Sequence, residues 1–69
     1  MNQQLRQLGT YRNIQNDYGF STFFDVLREA YEIHLTDGKI IKYFTKRAHE
    51  KKVAFLCENF TLQKVQNPD

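Results

Sequence analysis

Apolar and polar positions alternate most clearly between Tyr31 and Phe44, where two runs rich in β-branched and aromatic residues flank Thr36-Asp37-Gly38. Asp hydrogen-bonds its own backbone in a turn, and Gly enters positive φ without a Cβ clash, so the stretch reads as a β-hairpin. Two registers compete. A two-residue Asp37-Gly38 turn pairs Leu35 with Ile40, Ile33 with Lys42 and Tyr31 with Phe44, which sets a lysine into the apolar face. A three-residue loop with Gly38 as the bulge pairs Leu35 with Lys39, Ile33 with Ile41 and Tyr31 with Tyr43. It also leaves Glu32 opposite Lys42, where opposite charges help. This second register keeps one face apolar and is the one expected.

The period changes after Thr45. Read as a helix, Lys46 to Glu58 gathers Val53, Leu56 and Cys57 on one arc, continued by Phe60, with Ala48 and Phe55 at its flank. Lys46, Arg47, Glu50 and Lys51 fall opposite. Thr45 suits the N-cap and Asn59 the left-handed residue after the end. Charge opposes this reading, because Lys46 and Arg47 crowd the positive end of the helix dipole and Glu58 sits at the negative end. The competing hairpin, pairing Cys57 with Phe60 and Phe55 with Leu62, forces Glu58 into a tight turn that needs positive φ. The helix is therefore preferred, with Phe60 to Val65 as a last strand. Phe55 is expected in the core under both readings.

Upstream the pattern is weaker. Asn2 to Leu8 reads as a short helical turn ended by Gly9, and Tyr11 to Phe20 as an irregular segment with turn residues Asn16, Asp17 and Gly19. Ser21 to Ala30 reads as a short helix capped by Ser21, with Phe23, Phe24, Leu27 and Tyr31 on one face and Asp25 near its positive end. On that helix Asp25, Glu29 and Glu32 form a solvated side. The expected architecture is a single small α+β domain over residues 1–69. It has an N-terminal helical or irregular segment, a central β-hairpin, a helix packed on a short antiparallel sheet and a C-terminal strand, with 66–69 as a frayed tail. The alternative is an SH3-like or Sm-like small β-barrel. The run Leu35-Thr36-Asp37-Gly38-Lys39 resembles the first motif of Sm-type RNA-binding barrels over those few residues, and no second motif follows downstream.

Size limits what such a domain can do. At 69 residues it buries only about 60% of its unfolded surface, and a core of six Phe and four Tyr must carry most of its stability. The single Cys57 excludes an intramolecular disulfide and suits a reducing compartment, so a cytoplasmic location is expected. No apolar run suits a signal peptide or a membrane span, and no membrane partner is expected. His34, His49 and Cys57 are too scattered for a metal site, and the three glycines stand alone, so no metal, cofactor or phosphate loop is expected. Cys57 reads as a small buried hydrophobe and His34 as a solvated strand residue.

The net charge of +2 hides an asymmetry: residues 39–52 hold six basic side chains against Glu50 alone. Lys39, Lys42, Tyr43, Lys46, Arg47, Lys51 and Lys52 are the candidate contact residues for a partner protein or for DNA or RNA. Cations interleaved with rings suit either. The expected function is a small non-enzymatic binding protein that docks onto and modulates or inhibits a partner protein. The alternative is a small nucleic-acid-binding protein that uses 39–52. A homodimer is expected from the apolar surface and free strand edge that so small a core leaves. So short a chain also suits a mobile-element or viral gene product.

Overall fold

The computed structural model describes residues 4–65. Four strands run as an antiparallel meander: β1 (Leu5–Arg12), β2 (Gly19–Asp25), β3 (Ala30–Leu35) and β4 (Ile40–Tyr43). Helix α1 (Lys46–Phe60) then crosses one face of the sheet, and β5 (Gln63–Lys64) pairs antiparallel with β1. The order across the sheet is β4-β3-β2-β1-β5. This is the expected α+β domain, with β4 and β5 at opposite edges of an open sheet rather than a closed barrel.

The hairpin has the expected register, with Tyr31 opposite Tyr43, Glu32 opposite Lys42 and Ile33 opposite Ile41. Leu35 N donates to Lys39 O at 2.8 Å, Gly38 N donates to Leu35 O at 3.0 Å, and Asp37 Oδ1 accepts from Lys39 N at 3.0 Å. Gly38 takes φ +98°, and a Cβ there would meet nothing within 4 Å. Gly38→Val therefore carries only a conformational penalty, expected at about 1 kcal/mol and read as a lower urea midpoint. An unchanged midpoint would contradict the bulged turn.

Helix α1 starts as expected. The Thr45 hydroxyl accepts from Ala48 N at 3.2 Å, and Thr45 keeps extended dihedrals. Its end differs: the left-handed residue is Thr61 (φ 55°), two places beyond Asn59. The first turn holds no acid and the last no base. The fold settles these exposed carbonyls another way, since Asn13 Nδ2 donates to Phe60 O at 2.9 Å and to Thr61 O at 3.4 Å. The same side chain organises its own turn, its Oδ1 accepting from Gln15 N and Asn16 N.

Two expected helices are strands. Residues Leu5 to Leu8, read as part of a helical turn, belong to β1. Ser21 to Asp25, read as the start of a capped helix, belong to β2, where Ser21 Oγ lies 3.0 Å from Thr10 Oγ1 across the strands. Aromatic and β-branched side chains in Phe20-Ser21-Thr22-Phe23-Phe24 favour a pleated ribbon that packs on both faces. Val26 to Glu29 then form the β2–β3 turn, with Glu29 at φ 53° and Leu27 exposed at its tip. Asp25 is the anchor of this turn, 2% exposed, and its Oδ1 accepts from Leu27 N and Arg28 N, both at 3.1 Å. The frayed tail expected at 66–69 lies outside the described residues, as do the first residues of the expected N-terminal turn.

Alternation divides the sheet. Phe20, Ile33, Leu56 and Leu62 form the buried core between sheet and helix, bordered by Tyr11, Tyr18, Leu35, Ile41, Tyr43, Val53 and Cys57. The opposite face carries Ser21, Phe23, Glu32, His34, Ile40 and Lys42. Glu32 is buried there rather than solvated, with His34 Nε2 at 2.7 Å from Oε1 and Lys42 Nζ at 3.9 Å from Oε2. The Phe23 ring lies over His34, centroids 4.6 Å apart.

Candidate docking surface

The basic segment does not form one surface. Lys39 sits in the hairpin loop, and Lys42 points to the helix-free face, engaged with Glu32. Lys46 lies on the β1 side of α1, 3.9 Å from Glu50. At 100° per residue, Arg47 stands on the outer face of the helix, while Ala48, Lys52 and Phe55 turn toward β4 and Lys51 borders them on the outer side. What the fold brings together is Tyr43, Ala48, Lys51, Lys52 and Phe55, which line a shallow groove of about 340 Å3 between β4 and α1.

Phe55 is the residue that the sequence reading misplaced. It is 53% exposed, and Lys52 Nζ lies 5.0 Å from its ring centroid. The arc that packs inward is centred on His49, Leu56 and Val53, which puts Phe55 about a third of a turn away. Phe44 is 73% exposed, whereas Tyr43 packs partly against the core. Phe55→Ala should therefore change stability by less than about 0.5 kcal/mol, as a surface substitution does, instead of the several kcal/mol of a buried ring. Thermal unfolding of the variant checks this.

Among the described residues β4 is an edge strand of four residues with no neighbour on its outer side, an arrangement that lets its backbone groups pair with another chain. Ile40 is exposed on it. No family model, curated protein or solved structure matches the chain. Among the described residues no three of His, Cys, Asp and Glu cluster to hold a metal ion, and no helix is long and apolar enough to cross a membrane.

On the β1 side of the helix, His49 is 4% exposed and its ring lies 5.0 Å from that of Tyr31. Burial holds its pKa below the ordinary imidazole value, and the charge of Glu50 only partly opposes this. Burial likewise raises the Cys57 thiol, and it raises Tyr11 with a smaller contribution from Cys57. Asp25 is held below the ordinary carboxyl value, first by the Arg28 backbone N–H and further by the Arg28 guanidinium and Leu27 N–H.

These shifts give an acid-sensitive stability. His49 is harder to protonate folded than unfolded, so its contribution is whole above about pH 6.5 and declines as pH falls toward the lower folded value. The Asp25 contribution holds above about pH 3.9 and is lost as pH drops through its depressed folded value. Thermal midpoints should fall between about pH 7 and pH 5, and His49→Leu should flatten that first decline. A wild-type midpoint constant over that interval would contradict the assignment to His49.

Proposed function

We propose that this protein is a small non-enzymatic binding module that docks onto a partner protein through the flank formed by β4 and α1. The observation that carries the reading is the juxtaposition of an open strand edge with a groove that holds Tyr43, Phe55, Lys51 and Lys52. An extended segment added along β4 would gain main-chain hydrogen bonds from the edge and place alternate side chains in the groove. The two lysines favour an acidic segment, and the rings favour an apolar side chain within it. Occupying a partner's segment in this way would modulate or inhibit that partner.

A second reading is favoured by the Lys52–Phe55 pair: cation and ring together also suit a single-stranded nucleic acid. One experiment separates the two. The triple variant Lys51→Glu, Lys52→Glu, Phe55→Ala is compared with wild type, and Lys39→Glu serves as a charge control outside the groove. A stoichiometric protein complex that resists nuclease and high salt, and is lost only in the triple variant, supports protein docking. Oligonucleotide binding whose log affinity falls linearly with log salt supports the second reading. A partner retained by the folded triple variant overturns the site. Sedimentation of the 8.3 kDa chain alone tests whether the partner is a second copy.

A further inference from the structure

We propose that the buried carboxylate of Glu32 decides which way up a docked strand lies on β4. Acidic side chains of the strand turn to the helix side of the sheet, and uncharged ones turn to the helix-free side. The inference rests on the strand addition proposed above and narrows the partner to an extended segment in which acidic and apolar residues alternate.

Hydrogen bonding within the sheet fixes the phase of the free edge. Leu35 N donates to Lys39 O, and bonded positions alternate from there, so Ile41 and Tyr43 exchange backbone bonds with Ile33 and Tyr31. On the other side of β3, Gly19 O accepts from Thr36 N, the phase in which His34 and Glu32 turn their backbone groups to β2. The N–H and C=O groups of Ile40 and Lys42 are thus the ones that point outward from β4. Their side chains stand on the helix-free face, with Ile40 54% exposed. Every pair in this sheet is antiparallel. In antiparallel addition, a residue bonded to Ile40 or Lys42 places its side chain on that same helix-free face. The residues between send theirs to the helix side, over Tyr43 and the groove.

Charge separates the two faces. On the helix-free face Lys42 lies 3.9 Å from Glu32, whose other oxygen is 2.7 Å from His34. On the helix side Lys51 and Lys52 form no ion pair among the described residues. An acid in the strand is drawn to those two lysines, whereas beside Lys42 it also meets the like charge of Glu32. Without that carboxylate both faces would attract acids, and the strand could slip by one residue and turn over.

Two isomeric peptides test the proposal, each a short capped run that alternates Glu with Val. One is N-methylated at every Glu, the other at every Val. An N-methylated amide cannot bond to β4, so in antiparallel docking the first peptide must turn its Glu side chains to the helix side and the second to the helix-free side. Amide chemical shifts should show the first binding about tenfold more tightly, with the largest changes at Ile40 and Lys42, whose N–H groups gain partners. A nitroxide on its N-terminus should broaden Tyr43 more than Ile40. Glu32→Gln should bring the two peptides to within about twofold of each other. Glu32→Thr, which suits a strand, takes its place if that variant does not fold. Equal affinity of the peptides for wild type, or tighter binding of the second, would overturn the phase and leave strand addition standing. So would stronger broadening at Ile40. A preference unchanged without the carboxylate would overturn the role of Glu32. Binding of neither peptide would overturn the docking reading and this inference with it.

Discussion

Phe20→Ala is expected to remove about 3–5 kcal/mol of stability, measured as the loss in urea unfolding free energy. Phe20 is 1% exposed, stacks on Tyr11 with centroids 5.0 Å apart, and belongs to the group of four that forms the buried core. Truncation leaves a void that neither sheet nor helix can close, because Ile33 and Leu56 are held by separate elements. For a chain of this length total stability is about 3–10 kcal/mol, so the variant loses a large share of it and unfolds at ambient temperature at the lower end of that range. Phe20→Leu, which keeps most of the volume, provides the measurable intermediate. Equal stability of Phe20→Ala and wild type would mean that the sheet and helix do not share this core.

Gly19→Ala should be comparably damaging for a different reason. Gly19 opens β2 opposite Arg12, and the backbone of β1 passes so close that a Cβ would lie 2.9 Å from Arg12 Cα and 3.0 Å from Tyr11 C, with the Tyr11 carbonyl oxygen closer still. These are main-chain atoms and cannot swing aside as a side chain would. Relief requires the β1–β2 pairing to open at that end, where Gly19 N also donates to Thr36 Oγ1 and Gly19 O accepts from Thr36 N. The expected cost is about 3 kcal/mol or more, the upper range of overpacking. Gly38→Ala is the contrast, since its Cβ meets no neighbour. A Gly19→Ala variant as stable as Gly38→Ala would contradict the close approach.

Legibility in the sequence followed how local the determining chemistry was. The hairpin register was readable because Asp37 and Gly38 act within the loop itself and Glu32 with Lys42 breaks the tie. The helix was readable from its period and from Thr45, although its electrostatics were unfavourable at both ends. β2 was not, because it is covered on both faces and so shows no clean alternation, and β1 was not, because it buries no side chain fully and its register shifts between Gln7 and Gly9. Ser21 also carries the same hydroxyl whether it caps a helix or faces Thr10 across a ladder. The anchoring of Asp25 beneath its turn and the pairing of Asn13 with the helix end join positions that no single-segment pattern links. For the candidate surface, Tyr43, Lys51 and Lys52 were found from charge and rings. Lys42 and Lys46 were included for charge alone, before strand alternation and helix rotation sent them elsewhere. Phe55 lies at the flank of the apolar arc in the helix reading and opposite Leu62 in the hairpin reading, so both point inward, and only the rotation of the helix on the sheet leaves it exposed.

The two-residue pairing of β5 with β1 sets where this molecule opens. Tyr11 meets Lys64 and Arg12 meets Gln63, partners about fifty residues apart along the chain, and one further bond joins Val65 N to Thr10 O. So few bonds, closing so long a loop, form the smallest cooperative unit of the fold. Amide hydrogens on this edge should exchange with solvent through local detachment of the last strand, while those of β2 and β3 wait for the whole sheet to come apart. Each detachment bares the edge of β1 while β4 stays open on the far side. For that interval the sheet presents two templates for strand addition, and growth from both edges makes a chain of copies rather than a closed pair.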